Sequence, residues 1–252
     1  MKTTTRHPAA TRPHVLRRAA AEFVGTGLLV TVVVGSGIAA QRLSPDDVGL
    51  QLLENSLTTA LGLTVLILML GPVSGAHFNP VVSLADWLLG RRAGTGLPLR
   101  DLTPYLAAQV LGGIAGTLLA GVMFDTAPAL SENGRATGGH LVAEVVATAG
   151  LVLLIFALAR TGKGSLTATA VGAYIGAAYW FTSSTSFANP AVTIARMFTD
   201  TFAGIAPASV VPFILAQLVG AAIGLALLLV FYPTAARTAG DVVVPTQPET
   251  TS

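Results

Sequence analysis

The sequence predicts an all-α membrane protein: six transmembrane helices plus two re-entrant half-helices in an inverted repeat. Three observations predict it. The chain is 52% hydrophobic and only 10% charged, with a mean hydropathy of +0.71, too apolar and too sparsely charged for a water-facing surface. Two Asn-Pro dipeptides, Asn79-Pro80 and Asn189-Pro190, stand at matching places in two related halves. Each half holds three long apolar stretches, an odd number, so the second half must enter the bilayer inverted relative to the first.

Residues 1–16 are polar, basic and Pro-containing, and 233–252 are rich in Thr, Pro and Ala, so both read as disordered tails. Between them lies one membrane domain, 17–232, with repeats at about 17–126 and 138–232. Its spans are expected at 18–40, 50–70, 104–124, 139–159, 165–183 and 209–231, from apolar length and the flanking polar or Pro residues. The alternating pattern of a transmembrane barrel is absent. A signal peptide is the competing reading of the first stretch. It is rejected because the stretch is too long, carries Glu22 and has a counterpart later in the chain.

That counterpart is part of an internal repeat. Ala21-Glu22-Phe23-Val24-Gly25-Thr26 resembles Ala143-Glu144-Val145-Val146-Ala147-Thr148, and the run from Tyr105 to Gly116 resembles that from Phe213 to Gly224. Between these markers each half carries an Asn-Pro segment too brief to span, at 74–89 and 187–198. Asn as N-cap with Pro at the first helical position is a sound helix start, because the missing N–H costs nothing there. Non-helical backbone at membrane depth is tolerated only if buried in protein or lining a water-filled cavity. Two half-helices entering from opposite faces therefore imply a cavity near the midplane, where their positive dipole ends meet and repel cations.

Lys2, Arg6, Arg12, Arg17, Arg18, Arg91, Arg92, Arg100, Arg160, Lys163 and Arg237 fall on one side of this topology, leaving Arg42, Arg135 and Arg196 on the other. By the positive-inside rule both termini are expected to be cytoplasmic.

Ser74-Gly75-Ala76-His77-Phe78-Asn79-Pro80-Val81 and Asn189-Pro190-Ala191 resemble the paired signatures of the aquaporin and glycerol-channel family, a likeness that extends over about residues 18–232. The resemblance implies a passive channel for water, glycerol-like polyols and similar uncharged solutes, a homotetramer with one pore per subunit, and no cofactor or metal. It implies that the side-chain amides of Asn79 and Asn189 donate to the permeating oxygen. Glu22 and Glu144 would hold the irregular backbone leading into each half-helix, and His77 would be an ordinary vestibule histidine. Val81 stands where the family has alanine, a change expected to affect packing more than mechanism.

In most water-selective members an arginine follows the second signature and forms the narrowest ring with an aromatic residue and a histidine. Here that position is Val192. An ungapped count puts Ala177 at the histidine, Ser186 at the nearby loop position, and Leu61 or Thr59 on the second helix, depending on a two-residue gap. The resemblance thus implies a wide, weakly polar ring. Arg196, one turn beyond Val192 on the same face, could swing toward the pore but is expected at the outer vestibule or on loop carbonyls. Tyr179-Trp180-Phe181-Thr182 together with Asn189-Pro190-Ala191-Val192-Thr193 is similar to bacterial members associated with arsenic resistance, so undissociated arsenous acid joins the expected solutes and a bacterial cytoplasmic membrane is the expected location.

Other classes find little support. The chain has no cysteine, which excludes disulfides, thiolate metal sites and cysteine nucleophiles. Its net charge of +2 carries no further sign of a nucleic-acid partner. A coupled transporter would need ion sites or a titrating relay within the membrane, whereas Glu22 and Glu144 are symmetric scaffolding candidates. For an enzyme there are no paired catalytic carboxylates, metal-ligand spacing, nucleophile elbow or phosphate loop, and Ser183, Ser184 and Ser186 read as loop residues.

Overall fold

The computed structural model describes residues 13–91 and 94–233, and every regular element among them is helical. The first half contains α1 (Val15–Leu43), α2 (Val48–Ser74), α3 (Pro80–Gly90) and α4 (Leu99–Met123). The second repeats that order with α5 (Gly138–Arg160), α6 (Thr167–Phe181), α7 (Pro190–Ala195) and α8 (Pro207–Phe231). α1 begins inside the expected N-terminal tail. Residues 1–12, 92–93 and 234–252, with Lys2, Arg6, Arg12, Arg92 and Arg237, lie outside the described residues.

Five helices are long and apolar enough to cross a bilayer. The sixth crossing, α6, has 15 residues and is preceded by a 3-10 turn at Gly164–Leu166. At 1.5 Å per α residue and 2.0 Å per 3-10 residue the two together rise roughly 28 Å, close to the hydrocarbon thickness. The expected span at 165–183 is therefore made by a short helix and a tighter turn.

The helices pair as the repeat predicts: α1 packs on α4, α5 on α8, and α2 on α6 across the halves. Lipid supplies no hydrophobic drive between helices, so close backbone approach must. Added Cβ atoms at Gly112 and Gly116 would lie 2.2 and 2.1 Å from the carbonyl oxygens of Phe23 and Gly27. Gly220 and Gly224 meet Val145 and Ala149 in the same way, both at 2.5 Å. Thr31 Oγ1 uses the first crossing to donate to the Gly116 carbonyl at 3.1 Å. Arg18, counted above as a flanking cation, is buried and paired with Asp101.

Candidate functional site

α3 and α7 both start as their sequences predict. Asn79 caps α3, accepting from Val81 N at 3.0 Å, and Asn189 caps α7, accepting from Ala191 N at 3.0 Å and Val192 N at 3.3 Å, with Pro80 and Pro190 in the first turn. Each amide also crosses to the other half. Asn79 Nδ2 donates to the Ala188 carbonyl at 2.8 Å and Asn189 Nδ2 to the Phe78 carbonyl at 2.7 Å. The two half-helix starts are thereby locked together, and each amide keeps a second N–H for the cavity they line.

The loops entering the half-helices are strained. Ala76 and Phe78 in the first loop, and Thr185, Ser186 and Ala188 in the second, have φ between 47° and 62°, at about 1–2 kcal/mol each for a residue with a Cβ. Two buried carboxylates compensate. Glu22 accepts from Ser74 Oγ (2.6 Å), His77 N (3.0 Å), Phe78 N (2.7 Å) and Gln109 Nε2 (2.8 Å). Glu144 accepts from the equivalent set, Ser184 Oγ (2.7 Å), Phe187 N (2.9 Å), Ala188 N (2.9 Å) and Gln217 Nε2 (2.7 Å). Hydrogen bonds to a charged group contribute about 1.5–3 kcal/mol each, so four of them outweigh the strain. With every oxygen engaged by the scaffold, neither glutamate lines the cavity.

The cavity holds about 60 Å³, enough for only a few waters in file. Its wall obeys the repeat residue by residue: Leu29 and Val33 on α1 answer to Leu151 and Ile155 on α5, Leu63 and Ile67 on α2 to Val171 and Ile175 on α6, and Val82 to Val192. Between these aliphatic surfaces lie polar stations. The inner one has His77, whose Nδ1 is 3.0 Å from Ser83 Oγ, and Thr167. The outer one has Ser186 and Thr59, whose Oγ1 is 3.2 Å from the Tyr179 hydroxyl. The hydroxyls of Thr167 and Ser186 are buried and make no hydrogen bond to the described residues. A second cavity of about 690 Å³ opens outside this station, lined by residues that include Glu132, Arg135, His140 and Asp200.

Several expectations for the ring need correction. Thr59 lines the cavity, but Leu61 does not: it is 61% exposed on the outer surface. Ala177 is also exposed and absent from the lining, while Tyr179 occupies it. Both errors are two residues, a rotation of about 200° on a helix. The inward stripe of α6 is Thr167, Val171, Ile175 and Tyr179, at four-residue spacing, 108 residues after Thr59, Leu63 and Ile67 on α2, and that repeated i, i+4 pattern was the signal in the sequence. Val192 and Ser186 line the cavity, whereas Val81 and Ala191 are buried in helix packing. Tyr179 and Arg196 line the cavity as well.

A polar-stationed, aliphatic tube through an inverted-repeat helical bundle defines a membrane channel. The chain belongs to the major intrinsic protein family, matching the family over residues 9–188. It is 51% identical over 213 residues to aquaglyceroporin AqpS of Rhizobium meliloti (strain 1021), covering 84% of this chain and 88% of that one. It is also 36% identical over 156 residues to aquaporin Z of Brucella melitensis, covering 56% and 64% of the two chains. The solved aquaglyceroporin from Plasmodium falciparum shares the fold, with a TM-score of 0.61 at 20% identity, over 88% of this chain and 96% of that one. As a family member the protein is a passive multi-pass membrane channel for water and small uncharged solutes.

Proposed function

We propose that the pore passes glycerol-like polyols and undissociated arsenous acid as well as water, as a homotetramer in a bacterial cytoplasmic membrane with both termini inside. The observation that carries this reading is the placement of Asn79 and Asn189, two amide donors in a bore lined largely by aliphatic side chains, with the hydroxyl residues Thr167 and Ser186 on either side. A solute with several hydroxyls can exchange its hydration for these stations one oxygen at a time, while its carbon or arsenic side slides along Leu, Ile and Val. Val192 in place of a guanidinium keeps an apolar wall beside the Asn189 station. The similarity to an aquaglyceroporin over most of both chains supports the polyol part of this reading.

The test is stopped-flow light scattering on proteoliposomes in separate water, glycerol and arsenous acid gradients. Glycerol and arsenous acid entry well above protein-free vesicles is the expected result. Fast water flow with no entry of either solute would overturn the proposal and make the channel a water-selective one.

A further inference from the structure

α7 ends after six residues, and the chain tightens into a 3-10 turn at Arg196–Phe198. Arg196 stands one turn beyond Val192 on the same face. Its side chain lines both the narrow channel and the outer vestibule, so it sits where the two join. It is 2% exposed. Nε donates to the Ala203 carbonyl, and the guanidinium carbon lies 3.6 Å from the centroid of the Phe187 ring. A carbonyl on one edge and a ring face on the other hold the planar group in one orientation. Its two terminal amino groups make no hydrogen bond to the described residues. Those N–H groups, on a side chain lining both cavities, are left for the permeation path.

The nearby carboxylate Glu144 acts on it electrostatically but forms no ion pair with it among the described residues, its oxygens being held by Ser184, Phe187, Ala188 and Gln217. Arg135 reaches the same Phe187 ring at 5.4 Å and is committed to the carbonyls of Gly204 and Phe202. Glu132 and Asp200 line the vestibule but not the channel, and among the described residues no ion pair joins either to Arg196. The repeat supplies a contrast. The relation that maps Asn79 onto Asn189 maps His77 onto Phe187 and Asp86 onto Arg196. At the inner end His77 Nε2 lies 3.8 Å from Asp86, yet Asp86 is not part of the channel lining. Of these two mates only the cation borders the path.

We propose that Arg196 is the specificity-determining cation of the outer constriction, excluding protons and other cations from one helical turn beyond the Val192 position. The proposal rests on channel activity and is independent of whether arsenous acid is a solute.

The experiment uses the full-length protein in proteoliposomes, with proton leak read by an entrapped pH dye and glycerol entry reporting an inserted, conducting pore. Arg196→Gln keeps a donor for the Ala203 carbonyl and removes the charge; Arg196→Lys keeps the charge. The glutamine variant is expected to raise proton leak roughly tenfold or more over wild type, and the lysine variant to stay near wild type. Arg196→His is read by small pH jumps imposed at pH 6 and at pH 8 in the same vesicles, so that it is its own folding control. Leak should be higher at pH 8, where the imidazole is neutral. Should the glutamine variant fail to insert, the pH contrast in the histidine variant decides. A conducting Arg196→Gln as proton-tight as wild type, or an Arg196→His leak that does not change between the two pH values, would overturn the proposal. Arsenous acid exclusion alongside the expected leak pattern would sink only the metalloid reading.

Discussion

Asn79 and Asn189 each donate to the backbone carbonyl one residue before the other, Asn79 to Ala188 at 2.8 Å and Asn189 to Phe78 at 2.7 Å. The reciprocal pair ties two half-helices from opposite repeats at one point, and it makes each amide a structural clasp as well as the proposed pore donor. Asn79→Ala and Asn189→Ala are therefore expected to cost stability and conduction together. Each loses a buried hydrogen bond and a cap, roughly 1–3 kcal/mol, and the double variant should lose less than the sum. Thermal unfolding in detergent and glycerol entry check both parts; additive losses would show that the two clasps act independently.

The glutamates are scaffold, so their removal should be felt in folding rather than in proton coupling. Glu22→Gln and Glu144→Gln each replace one oxygen of a four-bond acceptor by a donor facing other donors, at roughly 2–3 kcal/mol or more. Whatever protein remains folded should carry glycerol at a rate indifferent to an imposed proton gradient. Uptake driven by that gradient in wild type, and lost in either variant, would instead make the glutamates part of a relay.

Val192→Arg brings a second guanidinium to the cavity face that already holds Arg196 one turn on. Added bulk and charge in a bore of about 60 Å³ should cut glycerol and arsenous acid entry severalfold while sparing water more. Separate stopped-flow gradients measure the ratio, and an unchanged glycerol-to-water ratio would mean that Val192 does not border the narrowest section.

Thr59 and Thr167 are repeat mates at opposite ends of the bore. Thr59 is engaged by Tyr179, whereas the Thr167 hydroxyl has no such partner among the described residues. Thr167→Val should therefore leave stability nearly unchanged and slow glycerol a few-fold, since it removes a hydroxyl from a cavity-lining residue and no hydrogen bond to the described residues. Equal glycerol rates in this variant and wild type would remove Thr167 from the set of stations.

Gly116 and Gly224 set the approach of α1 to α4 and of α5 to α8. A side chain there meets backbone at 2.1 and 2.5 Å, where nothing flexible can yield, so Gly116→Val and Gly224→Val should each destabilise by about 3 kcal/mol or more. Yield and thermal stability in detergent report it, and a variant as stable as wild type would show that these helices can part without loss.

The sequence by itself determined the six crossings, their inversion, the two asparagines and the paired glutamates. Each of these is written in features that survive without coordinates: apolar length, an odd span count, a capping dipeptide and a repeated carboxylate in lipid-depth segments. The tertiary structure decided which side of each helix faces the pore. Leu61 and Ala177 were two residues from Thr59 and Tyr179 and pointed outward, and Arg196, at the vestibule and on the Ala203 carbonyl as expected, also borders the channel. The physical reason is the solvent. In lipid the outer face of a helix is as apolar as the pore wall, so there is little amphipathic contrast along α2 or α6 to reveal the inward stripe. Rotation about the helix axis is then fixed only when the helices pack, by close approaches such as Gly116 on Gly27 and by contacts such as Phe187 beneath the guanidinium of Arg196.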